Sequence, residues 1–235
     1  MPAAATVGVE ALEVAGDQEP AIRGFLHRPV AAADGIVLTH GAGSDCRAPI
    51  LVDLAAALAA AGLLVLRCDL PFRQARPHGP PTPAEAERDR RGLGHAVRAV
   101  RERVTGRVFL GGVSYGGRQA SMLAAEAPTL ADALLLLAYP LHRPARPTAW
   151  RTEHFPRLRT PALFVHGTHD PFGSLEELER ARALIPARTE LLVVRGGHDL
   201  GYGCSAGADQ DVAGRAARAF LAFVRAARGV AADPR

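Results

Sequence analysis

At 235 residues the chain is long enough for one α/β domain whose sheet is buried on both faces. Its hydrophobic content of 48% and charged content of 22% are those of an ordinary soluble globular protein, and its longest apolar runs, such as Ala133 to Ala138, are far too short to span a bilayer. All 28 basic residues are Arg, but no basic block is interleaved with aromatics, so the net charge of +4 argues for no nucleic-acid partner.

In chain order, Thr6 to Val14 and Ala21 to His27 read as two antiparallel strands joined by a turn at Gly16-Asp17. Gly35 to Thr39 (GIVLT) is a short buried strand. A loop through Gly43 follows, then a helix from about Pro49 to Ala61 that Gly62 ends. Leu63 to Arg67 is the next strand. Pro71 to Pro83 reads as a Pro-rich loop leading into a helix that ends near Val104, with Arg beside Glu and Asp along a solvated face. Val108 to Val113 is a strand, and Tyr115 to Ala127 a helix that Pro128 stops. Leu134 to Leu137 and Ala162 to Val165 are strands, Leu175 to Leu184 a helix, Glu190 to Val194 a strand, and Ala208 to Ala227 a closing helix. Strands alternating with helices predict a single domain over residues 1–235, with a mostly parallel, doubly wound sheet and helices on both faces. Ligands in such sheets bind beyond the carboxyl ends of the strands, so the informative side chains are those just after them.

Gly112-Val113-Ser114-Tyr115-Gly116 fits G-x-S-x-G at a strand-to-helix junction. A sharp turn there holds the serine hydroxyl exposed on a strained backbone, and the helix N-terminus points free N–H groups toward it. The bland alternative is a small-residue turn with a capping serine. His40-Gly41-Ala42-Gly43 follows the strand GIVLT, where such folds place one oxyanion donor; the residue after the nucleophile supplies the other. Ala42 and Tyr115 are therefore the candidate donors, and His40 is read as a buried brace for the loop. Of the nine histidines, His198 follows the last strand and fits the order nucleophile, acid, base. Asp170 follows the strand ALFV and is the preferred acid; Asp199 is too close in sequence to His198 to point at it. A metal site at His166, His169, Asp170 and His198 would leave Ser114 unexplained, so no metal and no cofactor is expected.

These residues resemble a small, capless branch of the α/β-hydrolase superfamily related to dienelactone hydrolases, a bacterial group with testis-expressed and chromatin-complex relatives in animals. The resemblance covers most of the chain and rests on THGAGSD from Thr39, LRCDLPFR from Leu66, GGVSYGGRQAS from Gly111, AYPLHRP from Ala138 and LFVHGTHDPFG from Leu163. It implies an α/β-hydrolase fold without a large cap domain, a Ser114-His198-Asp170 triad and an esterase-like activity through an acyl-enzyme. Two departures stand out: Tyr115 replaces an expected Met, and GGHDLGY is ordered differently from the usual GGDHS-like run.

The loop from Tyr139 to Pro161 is too short for a helical cap, so an open or shallow site is expected for a small-molecule substrate. Arg73 and Arg76 follow a strand end and are candidates for an anionic substrate group; the alternative is pairing with surface carboxylates. Arg118 opposes the helix dipole and is expected to pair with a nearby carboxylate. Three widely spaced cysteines (Cys46, Cys68, Cys204) and no signal-like segment in Met1 to Glu10 point to a reducing cytoplasm and no membrane partner. The chain is expected as a monomer or homodimer. The rival from another class is a non-catalytic binding or scaffold protein on the same fold.

Overall fold

The computed structural model describes residues 7–15, 19–202 and 211–230. Thr6, the Gly16-Asp17 turn, Cys204 and residues 208–210 of the expected closing helix lie outside the described residues. Eight strands form one sheet: β1 (Gly8–Val14), β2 (Ile22–Arg28), β3 (Gly35–Thr39), β4 (Leu64–Cys68), β5 (Val108–Val113), β6 (Leu134–Leu137), β7 (Ala162–Gly167) and β8 (Thr189–Val194). Their order is β1-β2-β4-β3-β5-β6-β7-β8. The β1–β2 and β2–β4 pairs are antiparallel, and every other pair is parallel.

The central strands read as unbroken apolar runs because both of their faces are covered. In β6 the alternation is explicit: Leu134 and Leu136 enter one core, Leu135 and Leu137 the other. Burying each of these leucines contributes roughly 1.5–3 kcal/mol. Helices α1 (Pro49–Ala60) and α6 (Val212–Val230) cover one face, with Leu51, Leu54 and Phe220 pointing inward. The other face is covered by α3 (Ala86–Arg101), α4 (Tyr115–Glu126) and α5 (Leu175–Arg182), through side chains such as Leu93, Val97, Ala120 and Leu178.

Two stretches depart from the sequence expectation. The Pro-rich loop contains a short helix, α2 (Pro71–Ala75). Pro71 sits at its start, where no N–H is needed; Phe72 is buried, and its N–H is accepted by the Asp89 carboxylate at 3.0 Å. Strand β7 runs on through His166 and Gly167, because the ladder with β8 continues to Val193 and Val194. Between β6 and β7 the chain forms only a 3-10 turn at Phe155–Arg157 and an isolated bridge between Arg143 and Arg146. The α/β-hydrolase fold implied by the sequence resemblance, without a large cap, is the one observed. Among the described residues no helix is long and apolar enough to cross a membrane.

Candidate active site

Three strand ends converge on one point. Ser114 leaves β5 with φ 50° and ψ −114°, a left-handed backbone that an L-residue adopts only when its surroundings impose it. The imposition comes from packing. The Ser114 N–H is held by the Leu137 carbonyl at 2.8 Å, and α4 starts at the next residue. A Cβ on Gly112 would stand 2.7 Å from the backbone of Gly116 and Gly117, so strand and helix can meet this closely only without it. Gly116 serves a different neighbour: its missing Cβ makes room for the His40 carbonyl, 2.5 Å away, rather than for the other side of the turn.

Asp170 follows β7 and His198 follows β8. Their loops touch backbone to backbone at Gly167, where a Cβ would lie 2.2 Å from the Gly197 carbonyl oxygen. The His169 N–H donates to the Gly196 carbonyl at 2.9 Å, tying the loops together. The result is a continuous chain of hydrogen bonds. His198 Nε2 lies 2.8 Å from Ser114 Oγ, and His198 Nδ1 lies 2.8 Å and 3.0 Å from the two Asp170 oxygens. The Asp170 carboxylate is fully buried and also accepts the Phe172 N–H at 2.8 Å, while a quarter of the His198 side chain is exposed. The Phe172 ring stacks on the His198 imidazole with centroids 4.1 Å apart, which restrains the ring plane. The sequence reading leaves out Phe172, although it stands two residues after Asp170 in the DPFG run.

The loop after β3 lies against Ser114. Ala42 and Tyr115 both line the cleft over Ser114, and a Cβ on Gly41 would stand 3.6 Å from the Ser114 Cβ. Tyr115 opens α4, so its N–H has no acceptor one turn earlier. Its hydroxyl donates to Asp89 at 2.7 Å; burial and this bond push the phenol pKa up, so the group stays protonated. Fully buried, His40 braces the loop: Nδ1 donates to the Gly41 carbonyl and Nε2 accepts from the Leu70 N–H. Burial holds its pKa below the ordinary value, in keeping with this neutral tautomer.

The arginines are where the sequence reading fails. Arg73 is buried and spends its guanidinium on backbone carbonyls: Ser44 at 2.9 Å, Ala42 at 2.9 Å, Pro77 at 2.6 Å and Gly79 at 3.2 Å. Arg76 is paired with Glu85 through two hydrogen bonds of 2.6 and 2.9 Å. Neither lines the cleft, so neither is the anion contact expected of it. Arg73 stands on α2 and Arg76 just past its end, and each reaches the chain that follows: Arg73 the Pro77 and Gly79 carbonyls, Arg76 the Glu85 carboxylate. Arg118 goes the other way. It faces the cleft, and among the described residues its Nε has no hydrogen-bond partner.

The cleft itself measures about 1020 Å³. Pro80, Pro81, Pro83, Pro140 and Pro144 are among the residues that line it. Among the described residues no group of three or more His, Cys, Asp or Glu side chains is arranged to hold a metal ion. Cys46 and Cys68 are buried free thiols outside this cleft.

Residues 32–225 match the family model described as "Alpha/beta hydrolase domain". Among solved structures, a dienelactone hydrolase from Anabaena variabilis is similar at 22% identity, over 92% of this chain and 98% of that one, with a TM-score of 0.71. The Est1E protein of Butyrivibrio proteoclasticus is similar at 15% identity, over 92% and 99% of the two chains, with a TM-score of 0.71. An α/β serine hydrolase without lid from Xanthomonas campestris matches at 18% identity, over 81% and 86%, with a TM-score of 0.63. At these identities the structural likeness speaks for the fold.

Proposed function

The chain belongs to the α/β-hydrolase domain family, and from that premise we propose that it is a serine hydrolase of ester-like bonds. One observation carries this reading: a single imidazole bridges an exposed-side hydroxyl and a buried carboxylate, with 2.8 Å to each. A neutral His198 with its proton on Nδ1 donates to Asp170 and offers the Nε2 lone pair to Ser114. Oγ then attacks the substrate carbonyl carbon as its proton passes to Nε2. The Ala42 and Tyr115 N–H groups receive the developing oxyanion, and two fixed donors there lower the barrier by several kcal/mol. The C–O bond to the alcohol breaks as His198 returns the proton to the leaving oxygen. Water, deprotonated by the same imidazole, releases the acyl group as a carboxylic acid and restores Ser114. The catalytic cycle uses only groups of this chain, its substrate and water.

Labelling with a fluorophosphonate probe, followed by mass mapping, tests this without knowledge of the substrate. The expected result is modification at Ser114 that His198→Ala abolishes. A folded chain that stays unlabelled from neutral to mildly basic pH would assign the fold to a binding or scaffold role instead.

A further inference from the structure

The two oxyanion donors named above come from separate segments: Ala42 from the loop after β3 and Tyr115 from the start of α4. Both N–H groups can meet one oxygen only if their separation is held to within about 0.5 Å. The segments touch at small groups, Gly41 beside Ser114 and Gly116 beside the His40 carbonyl. Each is also tied, through polar side chains, to the short helix α2.

On the Ala42 side, His40 Nε2 accepts the N–H of Leu70, the residue before α2, at 3.1 Å. Its Nδ1 donates to the Gly41 carbonyl at 2.8 Å. That carbonyl shares a planar peptide with the Ala42 N–H, so the bond orients the donor itself. Arg73, on α2, adds a bond to the Ala42 carbonyl at 2.9 Å. On the Tyr115 side the link is Asp89: Oδ1 accepts the Phe72 N–H of α2 at 3.0 Å, and Oδ2 accepts the Tyr115 hydroxyl at 2.7 Å. The Phe72 ring lies against both ends, 5.6 Å from the His40 ring and 5.7 Å, edge-on, from the Tyr115 ring. Helix α2 is itself seated on α3, where a Cβ on Gly92 would stand 2.6 Å from the Pro71 ring.

Asp89 is fully buried, yet its two oxygens accept from neutral groups, a phenol and a backbone amide. A carboxylate there costs stability that an apolar side chain would not, and its seat in the first turn of α3 offsets part of that cost. What a carboxylate adds is precision, because hydrogen bonds to an ionised acceptor are short and strong.

We propose that α2 sets the separation of the two oxyanion donors, with Asp89 the positioning residue on the Tyr115 side. This rests on the serine hydrolase reading and adds to it a group outside the cleft. Asp89 does not line the cleft; it acts through the Tyr115 phenol on the first turn of α4, as His40 acts through the Gly41 carbonyl on the Ala42 peptide.

Tyr115→Phe tests the link, since it removes one hydroxyl and keeps both the ring and the backbone N–H. On p-nitrophenyl butyrate it should lower kcat by about tenfold to a hundredfold with KM little changed, less than the loss of an oxyanion donor outright. Affinity for n-butylboronic acid should fall by a similar factor. That probe takes Ser114 Oγ onto boron as a tetrahedral anion while the hydroxyl proton passes to His198, so it reads the oxyanion site directly. Asp89→Leu cuts the same link without leaving an unmet charge and should reproduce both losses; it decides alone if Tyr115→Phe does not fold. Asp89→Asn, whose oxygen accepts the Phe72 N–H and whose NH2 donates to the Tyr115 oxygen, should restore most of kcat. Asp132→Asn is the control for stability: Asp132 accepts the Val108 N–H at 2.8 Å, at the end of β5 opposite Ser114, and its variant should keep kcat and boronate affinity. Parent values in Tyr115→Phe and Asp89→Leu, equal losses in Asp132→Asn, or an Asp89→Asn no better than Asp89→Leu each overturn the proposal. Failure of both link variants to fold assigns Asp89 to the fold itself and overturns it too. A labelled, active parent whose variants match it sinks this inference alone, whereas a parent neither labelled nor active sinks the hydrolase reading and this inference with it.

Discussion

Asp170→Asn offers the sharpest test of the hydrogen-bond chain. Asp170 Oδ1 accepts the Phe172 N–H at 2.8 Å, and Oδ2 accepts from His198 Nδ1 at 2.8 Å. An asparagine keeps the first bond only by placing its oxygen there, which turns its NH2 group toward His198. Two donors then face each other. The imidazole resolves this by moving its proton to Nε2, and Ser114 Oγ, 2.8 Å away, meets an N–H where it needs a lone pair. The shape of the site is unchanged, so KM for a neutral ester should hold. The wrong tautomer costs about 10⁴-fold in kcat, or about 5 kcal/mol of barrier. The assay is steady-state turnover of p-nitrophenyl butyrate together with the rate of fluorophosphonate labelling, with circular dichroism to verify the fold. A folded Asp170→Asn protein whose kcat stays within about tenfold of the parent would refute the reasoning, because some other group would then be setting the tautomer.

Three further outcomes follow from the same geometry. Arg73→Met leaves the carbonyls of Ala42, Ser44, Pro77 and Gly79 without their donor; chemical denaturation should show a loss of about 2–4 kcal/mol, and kcat should fall with KM little changed. A KM increase confined to anionic esters would instead return Arg73 to substrate binding. Gly112→Ala puts a Cβ 2.7 Å from backbone atoms of α4 and should cost on the order of 3 kcal/mol of unfolding free energy, read as a lowered urea midpoint; an unshifted midpoint contradicts the packing account of the elbow. His27 and His154 are each held down to about 4 from 6.5, His27 by burial and Arg67, His154 by burial, Arg118, Arg157 and Arg90. The unfolded chain binds protons on them first as the pH falls. Their contribution is therefore whole above pH 6.5 and is lost toward about pH 4, with about 2 kcal/mol per histidine gone at pH 5. His154→Gln should flatten that slope in urea titrations; an unchanged slope would place the acid sensitivity elsewhere.

The fold and the three strand-end residues were legible because they depend on local signals. Runs such as GIVLT and LLLL mark strands buried on both faces, Pro128 marks a helix end, and G-x-S-x-G needs only the turn that contains it. Asp170 and His198 followed from chain order, since parallel strands with right-handed crossovers deliver their ends to one edge. The arginines were not legible. Arg73, Arg76 and Arg118 are the same residue type in similar surroundings of sequence, and their roles differ by where a side chain more than five atoms long finds carbonyls, a carboxylate or open space. Helix α2 was missed for a related reason. Five residues starting with Pro and holding one apolar anchor carry too weak a period, and only the Asp89 carboxylate, 17 residues on, caps the Phe72 N–H.

Sequence alone determined the α/β alternation and pointed to Ser114, Asp170 and His198 at the strand ends, because hydrophobic periodicity and turn chemistry act over neighbouring residues. Only the tertiary structure decided which groups meet. Gly167 lets two loops touch so that His198 reaches Asp170, Phe172 settles on the imidazole, Arg73 turns inward, and Arg118 is left facing the cleft with Gln119. Those outcomes depend on contacts between segments far apart in the chain, where a few tenths of an ångström in backbone approach determine which partner a long polar side chain can reach.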